Sequence, residues 1–237
     1  MGLAKAYTGL RRRVRFYRHH SSYELMWARP YFSMFGEDVF LLEYFQGKPN
    51  GLYVDVGGFH PVQHSNTYAF YRNGWRGIVV EPNPHKAPLF QKHRPCDILV
   101  SNAISDVEGS ATFAVDEDVS GIVDSTYFHQ TRAVKAAQIT VRTRPLKAVF
   151  DEHIPSFNKS IDILSVDCEG HDEVVLRSND WNRYRPLLVL CEAFDKAAAD
   201  RLNSFLDSNH YRHIAACGPT LIFEDLNDRP GRRKPYH

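Results

Sequence analysis

The sequence contains no uninterrupted apolar run approaching the roughly 18–20 residues of a membrane span, and no secretory apolar region follows its basic amino end. The expectation is a chain with no stable membrane insertion. Ala6 stands where a myristoylation signal wants Ser or Thr, and a cytoplasmic location is the default. Cysteine is scarce: Cys96, Cys168, Cys191 and Cys217 are scattered, with no C-x-x-C pair. That excludes a disulfide framework or zinc ribbon. Three of the four lie in apolar, strand-like stretches, so buried free thiols are predicted. Net charge is almost nil, with 29 basic residues against 28 acidic and a formal total of +1. No global field draws the chain to a polyanion, and a nucleic-acid partner is not expected.

What is present suits one globular domain: 237 residues, 43% hydrophobic and 24% charged. Residues 1–46 read as a helical lead-in that covers the site. Its basic residues Lys5, Arg11, Arg12, Arg13, Arg15 and Arg18 form either a solvated helix face or a contact for an acidic partner or lipid headgroups. Tyr31 and Phe32 cover the site or a second subunit, which leaves a homodimer open. Residues 47–226 form the main domain. Residues 227–237 are a polar tail with Pro230, Gly231 and Pro235.

In the main domain, short apolar runs at 52–56, 77–80, 97–103, 161–166 and 187–191 alternate with amphipathic stretches. Near-continuous apolar runs are expected of parallel strands covered on both faces, and their alternation with helices predicts β-α units. Ser65-Asn66 can cap a helix carrying Tyr68, Tyr71 and Trp75, with Gly74 as its left-handed stop. Ala198, Leu202, Phe205 and Leu206 form a helical stripe before strands at 211–215 and 220–224. Gly218-Pro219 between those strands predicts a turn and a terminal antiparallel hairpin. The polar segment 116–134 reads as a long loop of the kind that forms lids.

Four clusters fall at predicted strand ends, where open α/β sheets bind ligands. The first is Tyr53-Val54-Asp55-Val56-Gly57-Gly58-Phe59-His60-Pro61. Gly57 and Gly58 permit close backbone approach, but no third glycine follows and Pro61 removes a donor, so a pyrophosphate cradle is disfavoured. An adenosine ligand without phosphates needs a carboxylate for its ribose diol. Glu81, in Val79-Val80-Glu81-Pro82-Asn83-Pro84, offers one, and Pro82 fixes its turn. The third cluster, Ser101-Asn102-Ala103-Ile104-Ser105-Asp106, brings small and amide groups to the edge where adenine would lie. The fourth is Ser165-Val166-Asp167-Cys168-Glu169-Gly170-His171.

Together with Phe35-Gly36-Glu37-Asp38, Ser65-Asn66-Thr67 and Trp75-Arg76-Gly77, these runs resemble the FkbM-type methyltransferases, from about residue 35 to about residue 192. The resemblance implies a class I S-adenosylmethionine fold: a mostly parallel seven-stranded sheet ending in an antiparallel hairpin, with helices on both faces. It implies methylation of hydroxyl oxygens of sugars or secondary metabolites. By the same resemblance Asp55 and Gly57 lie by the amino-acid tail of the cofactor, Glu81 on its ribose, and Asn102 and Ala103 by its adenine. Met34 and Cys168 depart from the pattern, standing where many relatives have Gln and Val or Ile.

A sugar hydroxyl is a weak nucleophile at neutral pH, so a base is sought among His60, Asp167, Glu169, His171 and Glu192. Asp167 is the first choice; its alternative is an N-cap for a helix starting near His171. Glu169 either orients substrate or caps, and His60 is either catalytic or structural. Asp167 and Glu192, at adjacent strand ends, could jointly hold a magnesium ion. Glu37, Asp38, His171, Glu192 and Tyr127 are the candidate acceptor and lid contacts. The expected acceptor is a sugar, glycolipid or polysaccharide. Alternatives are a polyketide-type natural product, a nicotinamide-binding oxidoreductase, and a non-catalytic scaffold.

Overall fold

Alternation of side chains along each central strand sets the layering of the molecule. In the computed structural model, which describes residue 24 and residues 30–115, 120–123 and 137–227, strand β1 (Leu52–Val56) is followed by α2 (Tyr68–Arg72), β2 (Arg76–Val80), α3 (Ala87–His93) and β3 (Ile98–Val100). Helix α1 (Glu37–Tyr44) precedes them. After an intervening small sheet come α4 (Leu146–Phe157), β8 (Ile163–Val166), α5 (Asp172–Arg177), β9 (Leu188–Glu192), α6 (Lys196–Ser208), β10 (Tyr211–Cys217) and β11 (Thr220–Asp225). The main sheet has seven strands in the order β10-β11-β9-β8-β1-β2-β3. β3, β2, β1, β8 and β9 run parallel, while β11 is antiparallel to β9 and to β10.

One core cluster joins Leu52, Val54, Val56, Val189 and Cys191 to Leu146, Phe150, Val175 and Leu206, from α4, α5 and α6. Another joins Tyr53, Leu188 and Leu190 to Leu41, Phe70 and Trp75, from the region of α1 and α2. Neighbouring residues of one strand thus feed opposite layers, as the two-residue period of a strand requires. Both faces are covered, and the strands read as apolar throughout for that reason.

The class of fold and the terminal hairpin agree with expectation, and so do most boundaries. Gly218 turns the hairpin at φ +57°, and Gly74 ends the α2 region at φ +91°. The hydroxyl of Ser65 accepts the Tyr68 amide (3.2 Å), so Ser65 caps α2 although Thr67 stands at the helix boundary.

Three expectations need correction. Residues 97–103 are not one strand: β3 ends at Val100, and Ala103-Ile104 forms a short β4 that pairs with β7 (Ala137–Arg144) in a separate sheet of order β4-β7-β5-β6. β5 (Gly109–Val115) and β6 (Gly121–Ile122) complete that sheet, and β5 pairs antiparallel with β7 along seven positions. The segment 116–134 is therefore not wholly irregular, since Gly121–Ile122 pairs with Phe113 and Ala114. Nor are all thiols buried: Cys191 is buried, Cys168 and Cys217 partly so, and Cys96, beside Pro95 in a turn, is exposed.

No helix among the described residues is long and apolar enough to cross a membrane. By contacts the chain divides into residues 1–31 and 32–237. The basic amino-terminal segment, Tyr127 and the polar tail from residue 228 lie outside the described residues.

Candidate active site

β1 is the first strand of the sheet, and the chain builds outward from it on one side before crossing to β8 on the other. Between such strands the connections leave in opposite directions, opening a crevice at their carboxyl ends. A cavity lies there. Its walls include Val56 and Gly57 from the end of β1, Glu81, Pro82 and Asn83 after β2, Asn102 and Ala103 after β3, and Asp167, Glu169 and His171 after β8. Phe113, Gly121 and Ile122 of the small sheet add an apolar side.

Glu81 is held from beneath. Phe59 N–H donates to its Oε2 (2.7 Å) and Asn83 N–H to its Oε1 (2.7 Å), and the residue is 6% exposed. Burial pushes its carboxyl upward, and the two amides oppose that shift. Each carboxylate oxygen keeps a second lone pair, so a vicinal diol can be bound on the cavity side. Pro82, Ala103, Ile104, Phe113 and Ile122 supply apolar cover suited to a heterocyclic base. His171 Nε2 is buried without a hydrogen-bond partner and belongs to the cavity wall, an unmet polar group of the kind a bound ligand satisfies. The donor set fits an adenosine-type cofactor carrying no phosphates.

Gly57 has φ +86°, and a Cβ built on it would lie 1.8 Å from the backbone oxygen of Asp167. The glycine is demanded by the close approach of the β1 and β8 ends, reinforced by Asp167 N–H donating to Val56 C=O (2.9 Å). Left-handed backbone recurs around the cavity at three residues other than glycine: Phe59, His64 and Glu169. Such conformations cost of order 1 kcal/mol each or more and cluster at functional sites.

Asp167 and Glu192 stand side by side, because β8 and β9 pair Val166 with Cys191 just before them. Their carboxyls are hydrogen-bonded to each other, so the pair must hold a proton. Burial and the negative charge of Asp167 push Glu192 up to about 10. Burial raises Asp167 to about 6, opposed by the hydrogen bond from Glu192. The two acids titrate as a pair and share one proton at neutral pH. Burial also raises Asp172, to about 7; its oxygens accept Glu192 N–H (2.9 Å) and Cys168 N–H (3.3 Å), tying the β8 loop to the end of β9.

Several candidates stand elsewhere. Asp55 does not line the cavity: alternation puts it on the face of Tyr53, where it accepts from Thr67 Oγ1 (2.5 Å) and lies 3.7 Å from the buried guanidinium of Arg94. Gly58 packs under β2, since a Cβ there would meet Val79 at 2.4 Å. His60 Nδ1 accepts the amides of Val62 and Gln63, a turn role, and burial followed by the charge of Lys86 lowers its pKa. Glu37 accepts from Phe35 N–H (2.8 Å) and Thr220 Oγ1 (3.0 Å), and Asp38 from Phe32 N–H and Ser33 Oγ (2.7 Å each). These two acids fasten the lead-in rather than face the cavity. Asp167 does not cap α5, whose N-cap is His171 with no side-chain cap bond.

Sequence reasoning passed over Lys86, His64, Phe113 and Ile122 as cavity residues, and Asp172 as a tie. Lys86 follows the Glu-Pro-Asn-Pro run directly and lies 4.3 Å over the Phe59 ring, a signal available in principle. Phe113 and Ile122 depend on a small sheet that local pattern does not reveal, and His64 and Asp172 on how the loops after β1 and β8 fold back. Among the described residues no group of three or more His, Cys, Asp or Glu side chains is arranged to hold a metal ion.

The strand order, with a ligand cavity at the switch point and an acid after the second strand, defines a Rossmann-like methyltransferase fold. Residues 55–213 match the model of the methyltransferase FkbM domain, and the chain belongs to that family of S-adenosylmethionine-dependent methyltransferases. No curated protein sequence matches it. Among solved structures it is similar to one described as the METTL16 MTase domain (crystal form 2), with a TM-score of 0.45 and 12% identity over 81% of this chain and 66% of that one.

Proposed function

We propose that the protein methylates a hydroxyl oxygen of a sugar, glycolipid or polysaccharide, with Asp167 as the base. The observation that carries this reading is the pairing of Asp167 and Glu192 at adjacent strand ends, with Asp167 in the cavity wall: two acids so close share one proton, and the pair keeps a negative charge beside the cavity. Such a group suits an acceptor that must lose a proton as it reacts.

S-adenosylmethionine, when bound, supplies an electrophilic methyl carbon on a sulfonium. Glu81 would take the ribose hydroxyls, Pro82, Ala103, Phe113 and Ile122 would cover the adenine beside Asn102, and Gly57 would let the amino-acid tail approach the end of β1. Asp55 supports that strand end from the opposite layer through Thr67 and Arg94. Asp167 would take the proton of the acceptor hydroxyl as the oxygen is methylated. Glu192 steadies the carboxylate, and Glu169 and His171 border the same space. A base so placed is worth roughly 10²–10⁴-fold in rate, and alignment of oxygen, carbon and sulfur accounts for much of the rest.

The deciding experiment is incubation with methyl-labelled S-adenosylmethionine and separate pools of glycans and of phenolic or polyketide natural products. Base-stable label in the glycan pool is expected. Label confined to the natural products would replace this acceptor class with the other.

A further inference from the structure

A second depression opens between α5 and α6, lined by Gly170, Asp172, Glu192, Phe194, Ala198 and Arg201 among others. It adjoins the first at the ends of β8 and β9: Asp167 lines the cavity and the neighbouring Glu192 the groove, and Cys168 of the cavity wall donates its N–H to Asp172 of the groove (3.3 Å). The loop that carries Phe194 is fixed at three points. Glu192 N–H donates to Asp172 (2.9 Å), Ala193 N–H to Pro219 C=O (3.0 Å), and Ala198 N–H to the capping carboxylate of Asp195 (2.7 Å). Phe194 is among the few large apolar residues exposed on the described surface, at 37%. Arg201 is oriented by the bond from its Nε to Glu173 Oε2 (2.8 Å), while Arg177 holds the other oxygen of Glu173. Its guanidinium has four further N–H donors.

We infer that this groove is the acceptor subsite and receives a glycan ring, its C–H face on Phe194 and its hydroxyls on Arg201 and Glu192. A pyranose offers one apolar face and a rim of hydroxyls, which an aromatic ring flanked by oriented charged groups matches. Fixing the aromatic residue beforehand lowers the ordering cost of binding. A ring seated against Glu192 would direct a neighbouring hydroxyl toward Asp167 and the cavity. This inference rests on the reading of hydroxyl methylation above.

Its test is binding of fluorescently labelled protein to an immobilised glycan array in saturating S-adenosylhomocysteine, for wild type, Phe194→Ala, Phe194→Tyr and Arg201→Ala. Wild type is expected to bind a subset of glycans. Phe194→Ala and Arg201→Ala should bind the same subset at least about tenfold more weakly, while Phe194→Tyr, which keeps the ring, stays near wild type. Affinity for S-adenosylhomocysteine, measured by calorimetry, should be unchanged in all three variants. Equal glycan binding by wild type and both alanine variants overturns the groove and leaves the acceptor class standing. So does a loss of S-adenosylhomocysteine affinity in Phe194→Ala, which marks its defect as structural. A wild-type protein that binds no glycan yet methylates a phenolic compound overturns the acceptor class itself.

Discussion

Asp167 and Glu192 stand side by side across the ends of neighbouring parallel strands, each one residue beyond the paired Val166 and Cys191. Two acids so placed do not ionise together, and their shared proton carries two predictions, one for the proposed reaction and one for the stability of the fold.

For the reaction, Asp167 must be ionised to act as a base, and burial has raised it to about 6. kcat/KM should therefore fall by about tenfold per unit of pH well below that value and level off above it. Asp167→Asn should lower kcat by roughly 10²–10⁴-fold with S-adenosylhomocysteine affinity retained. A pH–rate profile of the wild type without that acid limb would remove Asp167 as the base.

For stability, Glu192 has a folded value of about 10, above the roughly 4.3 of an unfolded glutamate. A group whose folded value is the higher contributes its stability in full below the unfolded value and loses it as pH rises through the folded one. Asp172, raised to about 7, works in the same direction. Wild type should lose stability as pH rises from about 5 to about 8, and Glu192→Gln, which keeps a donor without titrating, should lose less, by at least ~1 kcal/mol. Urea midpoints at the two pH values provide the check, and identical pH dependence in both proteins would contradict the shared proton.

Glu81→Ala should weaken S-adenosylhomocysteine binding by tenfold or more, since each charge-assisted hydrogen bond is worth about 1.5–3 kcal/mol. It should also loosen the turn held by Phe59 and Asn83 N–H. Isothermal titration of Glu81→Gln, which retains an acceptor oxygen, should fall between. Wild-type affinity in Glu81→Ala would dismiss the ribose role.

Two glycines with nearly equal φ should respond unequally to alanine. At Gly57 (φ +86°) the added carbon meets backbone oxygen at 1.8 Å, whereas at Gly74 (φ +91°) nothing lies nearer than 3.9 Å. Gly74→Ala should cost about 1–2 kcal/mol in denaturant unfolding, from backbone conformation alone. Gly57→Ala should cost more than about 3 kcal/mol, because β1 and β8 must part. Equal costs would mean the strand ends are not in contact.

Arg94→Met should destabilise by about 3–5 kcal/mol by leaving Asp55 and Asp97 buried without their cation. Its cofactor affinity, measured on the folded fraction, should fall less than that of Glu81→Ala. A chelator should leave activity intact, since Asp167 and Glu192 are joined by no third His, Cys, Asp or Glu in an arrangement that could hold a metal ion among the described residues. Activity abolished by EDTA and restored by magnesium would reverse that expectation.

The parallel strands, the hairpin at Gly218 and the acid at Glu81 were legible in the sequence because each rests on local pattern: apolar runs, a Gly-Pro turn, an acid directly after a strand. These features depend on backbone conformation and burial along one segment, which residue identity alone constrains. The small sheet was not legible. Ala103 and Thr143 pair across a long stretch of intervening chain, and the short alternating strands on either side resemble loop in composition. Asp55 shows the same division within one motif. Its position at the end of β1 is written in the sequence, but the face it occupies is set by the two-residue period of a strand whose layers are defined only when α1, α2 and Arg94 pack against it. The sequence by itself determined the family, the order of the β-α units and the place of an acid, Glu81, directly after the second strand. Only the tertiary structure decided that Asp55 serves Arg94, that Asp172 ties two strand ends, and that Asp167 and Glu192, already placed at adjacent strand ends by the sequence, are close enough and buried enough to raise each other's charge cost, because each depends on side chains brought together from separate elements by burial.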